Sequence, residues 1–268
     1  MKMEKEFASM ITKIQETNLE SERWDPDYWS PKWFENIKIF SKLRYPVKKL
    51  SEFKPFLTYG KIKTGKKRVF KKEGVRYIDS ANLDPIGFDF FKKMTYIAKD
   101  DDRNAPDKKP ILGDILLARD GVGCIGRNIL FLEKDSQNYI ISDHVDIIRL
   151  KGINPYYVYV YLQTKYGKDQ IERTYHGVGS PGIHFHHIKS LLIPELPKHF
   201  QKKIENQYKK IYSLNIESLK IKENLIRKGL NNDEAEKNEL YKDRLERAKK
   251  ELSNLVQQVE DFIVSAKE

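Results

Sequence analysis

The spacing of apolar residues changes several times along the chain, and each change predicts an element. Phe7, Met10, Ile11 and Ile14 lie on one helical face, so residues 3–19 predict a short amphipathic helix. Ser30-Pro31 is a helix start, with Ser as N-cap and Pro in the first helical position. Trp33, Ile37 and Phe40 then recur at i, i+4, i+7, which carries that helix to about residue 41. From residue 47 to about 150 the period shortens. Alternating or short apolar runs, punctuated by Gly, Pro, Asn and Asp, predict strands at 67–70, 76–78, 115–119, 128–132 and 145–150. Residues 154–174 read as helix, with Asn154 as N-cap and Pro155 in the first turn. A glycine- and histidine-rich loop follows at 175–187, and 188–196 reads as a closing strand ended by Pro197.

The last stretch carries heptads. Ile204, Ile211, Ser218 and Leu225 are seven apart, with Gln207, Leu214, Ile221 and Lys228 in the other seam position. A cleaner seam places Leu245, Leu252, Val259 and Ala266 in one position and Tyr241, Ala248, Leu255 and Phe262 in the other. Gly229 suits a helix end between them, and Asp233 with Glu236 resembles a capping box. Two helices of roughly 30–35 residues, roughly 45–50 Å long, are expected. They fold back as an antiparallel hairpin in one reading and form a single bent helix in the other. The expected fold class is α+β: an N-terminal helical segment (1–43), a globular domain of mixed and antiparallel strands with short helices (44–197), and a two-helix coiled-coil spacer (198–268).

Composition adds partners to this picture. Of the 268 residues, 33% are charged and the net charge is +11, with a pI near 9.3, which favours polyanions. The excess sits in one place. Residues 38–76 hold fourteen Lys or Arg against only Glu52 and Glu73, and Tyr45, Phe53, Phe56, Tyr59, Phe70 and Tyr77 are interleaved with them. Cation and aromatic together suit nucleic acid, the cation for phosphate and the ring for stacking. Cys124 is the sole cysteine, so an internal disulfide and the usual cysteine metal sites are excluded and a reducing setting fits. Residues 1–17 lack the apolar core of a signal peptide, and no run of about 18 apolar residues exists, so a cytoplasmic location without a membrane span is expected.

Three motifs invite catalytic or ligand readings. Gly121-Val122-Gly123-Cys124-Ile125-Gly126 matches GxGxxG, but a strand-like Arg127-Asn128-Ile129-Leu130-Phe131-Leu132 follows where a dinucleotide site needs a helix. The glycines read instead as a tight loop whose N–H groups can face a phosphate. His184, His186 and His187, with His176 nearby, lack the carboxylates a metal site would add, and read as donors to DNA or as a solvated loop. Cys124 and His144 lack a third orienting residue, so a small half-buried cysteine is the reading taken. No nuclease carboxylate cluster, GxxxxGK[ST] loop or Asn-Pro-Pro-aromatic motif is present. The chain is expected to be non-catalytic.

The order of segments resembles a known family. Arg23-Trp24-Asp25-Pro26-Asp27-Tyr28-Trp29-Ser30-Pro31 resembles the entry to a target-recognition module, and Tyr45-Pro46-Val47-Lys48-Lys49-Leu50 the start of the module. Gly74-Val75-Arg76-Tyr77-Ile78 and Gly113-Asp114-Ile115-Leu116-Leu117-Ala118-Arg119-Asp120-Gly121 are similar to its central strands. Asn154-Pro155-Tyr156-Tyr157-Val158-Tyr159-Val160-Tyr161-Leu162 resembles its helix, and Ile188-Lys189-Ser190-Leu191-Leu192-Ile193-Pro194 its close. Together, across about residues 23–196, they resemble the specificity subunit of type I restriction–modification systems, in a half-size form with one recognition domain. The resemblance implies bacterial or archaeal defence and DNA methylation. It implies binding to double-stranded DNA, to an adenine methyltransferase subunit that carries S-adenosylmethionine, and in restriction complexes to a translocating nuclease subunit. It implies no cofactor on this chain and assigns no base contacts. An RNA-binding or anti-restriction interaction protein on the same scaffold is the alternative.

Within that frame the basic stretch clamps phosphates and loops 59–68, 119–123 and 177–187 read base edges. Lys61, Lys63, Lys66, Lys67 and Arg68 are the phosphate candidates. Arg119 and His184 are the base-reading candidates, with Tyr59, Gly121, Gly179 and Ser180 on the same loops. For Arg119 a structural ion pair with Asp120 or Asp114 stands as the equal alternative. Ile211, Leu225, Leu245, Leu252, Leu255, Val259 and Phe262 are expected to form the partner or homodimer interface.

Overall fold

The structure is a computed structural model that describes residues 31–62, 70–71, 73–84, 86–88, 95–101, 103–121, 123–174 and 182–266. The helix expected at 3–19, the strand expected at 67–70 apart from its last residue, and the start of the 175–187 loop lie outside the described residues.

Helix α1 (Pro31–Phe40) buries Trp33, Asn36 and Phe40. The Arg173 guanidinium lies 4.4 Å from the Trp33 ring, and Asn36 Nδ2 donates to Asp169 (2.9 Å), so α1 docks on the later helix that carries both. Strand β1 (Val47–Lys49) opens the globular part, followed by a 3-10 turn, Leu50–Phe53, and β2 (Phe56–Tyr59). The chain continues through β3 (Val75–Ile78), β4 (Leu83–Asp84), β5 (Gly87–Phe88), β6 (Tyr96–Ile97), β7 (Ile115–Ala118), β8 (Asn128–Leu130), β9 (Tyr139–Ile141) and β10 (Val145–Arg149). Four of these form an antiparallel sheet in the order β2-β10-β7-β8. A second sheet, β6-β3-β9, contains the parallel pair β3 and β9. β4 and β5 form a short hairpin.

The larger sheet is buried on both faces, which explains the near-continuous apolar run ILLA in β7. Its period-two alternation divides one strand between two cores. Ile115 and Leu117 face the helices, with Leu130 and Ile148. Leu116 and Ala118 face the smaller sheet, with Ile78, Ile129, Ile141 and Ile147.

Helix α2 (Pro155–Gln163) is buried from Tyr157 through Gln163. The Asn154 side chain accepts from the Tyr156 and Tyr157 N–H groups (2.9 and 3.3 Å), as an N-cap does. The single helix expected over 154–174 divides at Thr164, and α3 (Lys165–Thr174) begins there. Thr164 Oγ1 donates to Tyr161 O (2.6 Å) and accepts from Gly167 N (3.2 Å), which ends one helix and caps the next. Gly167 is required at this joint, because a Cβ would stand 2.5 Å from Leu162 Cα.

The strand expected at 188–196 is shorter than the apolar pattern suggested. Residues 188–190 belong to helix α4 (Phe185–Ser190), and only Leu192–Pro194 form β11, antiparallel to β1. His184 N donates to His187 Nδ1 (3.1 Å), which opens a helical turn, and Ile188 and Leu191 are both buried. Tyr157 and Tyr161 hydroxyls donate to Pro194 O and Leu192 O (2.6 and 2.8 Å), fastening β11 to α2.

The C-terminal part is α5 (Lys198–Arg227), a one-turn α6 (Asn232–Glu236) and α7 (Glu239–Ser265). Helices α5 and α7 run antiparallel. Phe200 stacks on Phe262 (4.0 Å between centroids) and Gln207 Nε2 donates to Gln258 Oε1 (3.2 Å), so the hairpin holds and the bent single helix does not. Gly229 adopts φ +100° just past α5. The capping box lies two residues earlier than the spacing suggested: Asn231 caps Glu234 N, and Glu234 reaches back to Asn231 N (both 2.9 Å). Glu236 instead accepts from Lys222 Nζ (2.7 Å). Asn238 caps a further helix start the heptads did not signal.

The core does not stop at residue 197. Phe200, Ile204, Tyr208 and Ile211 of α5, and Ala248, Leu252, Leu255, Val259 and Ile263 of α7, share one cluster with α2 and the larger sheet. Tyr208 donates to Ile86 O (3.1 Å) and Arg44 N to Ala266 O (3.1 Å), so the segment after α1 and the loop between β4 and β5 both meet the hairpin base. Among the described residues no helix is long and apolar enough to cross a membrane.

Candidate nucleic-acid interface

Strand register assembles the site. Asp146 of β10 lies opposite Tyr59 of β2 and Leu117 of β7. Side chains two apart share a face, so Tyr59, Asp146 and Arg119 continue the helix-side rows Leu57–Tyr59, Asp146–Ile148 and Ile115–Leu117–Arg119. These three residues lie at the same end of the larger sheet, where α4 adds Phe185.

There the Arg119 guanidinium lies 4.2 Å from the Tyr59 ring centroid and 5.8 Å from that of Phe185. The two rings are 5.8 Å apart. Lys108 Nζ is 5.9 Å from the Tyr59 centroid and donates to Thr58 Oγ1. Tyr59 is 36% exposed and the Arg119 side chain 17%, with Phe185 half-buried, so the cluster lies at the surface and reaches solvent mainly through the Tyr59 ring.

Beneath it lies Asp146, fully buried. Its Oδ1 is 3.6 Å from Arg119 Nη1, and among the described residues no group donates a hydrogen bond to either carboxylate oxygen. Burial pushes this carboxyl up to about 7; the Arg119 charge opposes the rise and Asp120 adds to it. The partner of Arg119 is therefore neither candidate from the sequence. Asp114 is taken by Arg149 (2.9 and 2.8 Å), and Asp120 contacts His144 Nδ1 (2.6 Å).

The glycine motif shapes the rim. Gly121, Gly123 and Gly126 adopt φ of +101°, +73° and +79°, and Gly126 N bonds Ala118 O (2.9 Å), closing a turn directly into β8. Strand, not helix, follows, so the dinucleotide arrangement is absent. The histidine loop is fastened to the same rim. Ile183 N donates to Arg119 O (2.7 Å), and Asp120 bridges Gly182. His184 and His186 are exposed, with stacked rings 5.7 Å apart. His187 is buried. No group of three or more His, Cys, Asp or Glu among the described residues could hold a metal. Cys124 is half-buried against the second core.

Thus Tyr59, Arg119, Gly121 and the His184 segment come together, and Lys61 follows Tyr59 on the surface. Lys63, Lys66, Lys67, Arg68, Gly179 and Ser180 lie outside the described residues. The described cations of the basic stretch are distributed over α1, β1, the end of β2 and β3; Lys48 pairs with Glu195, and Arg76 is buried over the Tyr96 ring. Asp146, Phe185 and Lys108 escaped the sequence reading. A lone Asp between apolar residues of a strand was the available sign for Asp146. Nothing in the local pattern marked the other two.

The residues expected at a partner interface close the hairpin of one chain instead. Ile211, Leu252, Leu255 and Val259 are buried in the shared core, Leu245 and Phe262 pack against it, and Leu225 is half-buried near the hairpin tip.

No protein-family model matches the chain, and no curated protein does. Among solved structures it is similar to the type I restriction-modification system S subunit from M. genitalium, at 15% identity and TM-score 0.43, over 68% of this chain and 44% of that one. It is similar to a chain of a type I R-M system described for its complex assembly and conformational transition, at 13% and 0.44, over 87% and 51%. It is also similar to the HsdS subunit from Thermoanaerobacter tengcongensis, at 15% and 0.41, over 81% and 50%. The chain spans about half the length of the structures it matches.

Proposed function

We propose that this chain is a non-catalytic, sequence-specific DNA-binding subunit of a type I-like restriction–modification complex, directing a partner adenine methyltransferase, and a nuclease where one is present, to its site. One observation carries the reading: a partly exposed arginine supported by an aromatic ring lies at one end of the larger sheet, on a rim of glycine turns. Arginine donates two parallel N–H groups, which match the O6 and N7 acceptors of guanine in the major groove. The stretch 61–68 supplies phosphate contacts that position without reading sequence. The hairpin, continuous with the recognition core at its base, is a rigid spacer toward the methyltransferase and a second copy. Two copies related by a two-fold axis would read inverted half-sites separated by a fixed gap.

The test is expression of the chain from its own locus with an affinity tag, followed by identification of co-purifying proteins and methylation mapping with and without the gene. The expected result is a co-purifying methyltransferase and a two-part methylated motif that disappears on deletion. A methylome indifferent to the deletion overturns the proposal, and preferential binding of structured RNA over duplex DNA favours the alternative.

A further inference from the structure

We infer that Asp146 is a positioning residue that holds the Arg119 guanidinium at one edge so that its remaining N–H groups read a guanine; this rests on the proposed function. The inference starts from an anomaly. A buried carboxylate normally collects hydrogen bonds, and Asp146, with no exposed surface, accepts none from the described residues. Its one described charge partner is Arg119 at 3.6 Å. A group kept on those terms is poor packing, since an apolar side chain would fill a sheet interior at less cost. It makes sense where the charge is used.

The geometry supplies the use. Tyr59 lies under the guanidinium plane at 4.2 Å, limiting its tilt. Asp146 draws Nη1 downward, limiting rotation about the side-chain axis. Asp114, Asp120 and Asp143, the neighbouring acids on the same strands and turn, are engaged by Arg149 and His144. An arginine limited in both tilt and rotation loses less freedom when it pairs with a base edge, and wrong bases meet a donor pair that cannot turn away.

The charge of Asp146 is conditional. Burial holds its carboxyl near neutrality of solution, where Arg119 lowers and Asp120 raises its affinity for protons. His144, paired with Asp120, and Lys108, beside Tyr59, are the other titratable groups facing this end of the sheet. Protonation of Asp146 releases the edge of Arg119 while leaving the phosphate-binding lysines charged.

The experiment uses the full chain with its co-purified methyltransferase and a pool of random-sequence duplexes to define the motif, then Kd for the selected site, for single-base variants and for unrelated duplex. Asp146→Asn is expected to lower discrimination at one guanine position by about tenfold, with unrelated duplex bound at least as well. Wild-type discrimination at that position is expected to fall between about pH 8 and about pH 6, and the Asn variant to be flat over that range. Arg119→Lys should abolish the same preference. If the wild type selects a motif and the Asn variant reads it unchanged, the role given to Asp146 is wrong while the function stands. If the wild type selects no motif, the function itself fails. Should the Asn variant not fold, a flat wild-type pH profile alone overturns the inference and a falling one supports it.

Discussion

Asp146 and Gly60 show how single residues are constrained at this sheet end. A buried carboxyl raised to about 7 binds its proton more tightly folded than unfolded. Between the ordinary carboxylate range and about pH 7 the folded state therefore carries the extra proton, and stability falls as pH rises through that window, levelling off above it. Asp146→Asn should remove this slope, with a gain of a few kcal/mol at most above pH 7. Urea unfolding at several pH values measures it; parallel pH curves for the two proteins refute it. Gly60 is bound by space. A Cβ there would stand 2.3 Å from Ser142 C and 2.4 Å from Ile141 O, both backbone. Backbone cannot swing aside as a side chain does, so Gly60→Ala should cost about 1–3 kcal/mol and displace Tyr59 next to it, seen as a lower midpoint and weakened DNA binding.

At the scale of elements, the hairpin is two structures in one. Its base shares a core with α2 and the larger sheet, whereas further out Leu219, Lys222 and Tyr241 are buried within the hairpin, with Lys222 Nζ 5.6 Å from the Tyr241 ring. Leu255→Ala should therefore lower global stability by about 2–5 kcal/mol. Leu240→Ala, at a side chain 55% exposed, should stay within about 0.5 kcal/mol. Equal losses would mean that Leu240 is packed as tightly as Leu255 and refute its exposure. Glu205 ties the base together from the polar side. Burial works to raise its carboxyl, but Lys209, Lys202 and Asn154 overcome it and hold the group at about 2. Asn154 is also the cap of α2, so one hydrogen bond (2.8 Å) connects the start of the central helix to α5.

For the molecule as a whole, the proposed reading assigns affinity to charge and sequence preference to geometry. The net charge of +11 attracts any duplex. Neutralising Lys66, Lys67 and Arg68 together should weaken binding to all sequences and flatten the slope of log K against log salt by roughly 2–3. An unchanged slope removes that segment from the interface. Preference among sequences should survive, because the proposal assigns it to the Arg119 rim.

Periodicity alone carried much of the outline. Heptads marked two helices because α5 and α7 each bury one continuous stripe, although in α5 Tyr208, Asn215 and Lys222 are buried where the second seam was expected at Gln207, Leu214 and Ile221. Short apolar runs between turn residues marked β7, β8 and β10, because the larger sheet is buried on both faces. Glycines at 121, 123 and 126, followed by strand-like residues, already spoke for a turn rather than a nucleotide loop. What the one-dimensional pattern left open was everything that depends on partners distant in the chain. Thr164 divides a helix, and residues 185–190 coil before β11, because local side chains supply caps that periodicity does not register. The seam residues of the hairpin read equally as a dimer face until the fold turned α7 back on α5. Arg119 had two acids beside it in sequence and chose neither, because β10 brings Asp146 across the sheet while Arg149 and His144 occupy the others. Backbone alternation depends on nearest neighbours and is written along the chain. Ion pairs and aromatic contacts depend on strand order and register, and only the folded molecule decides those.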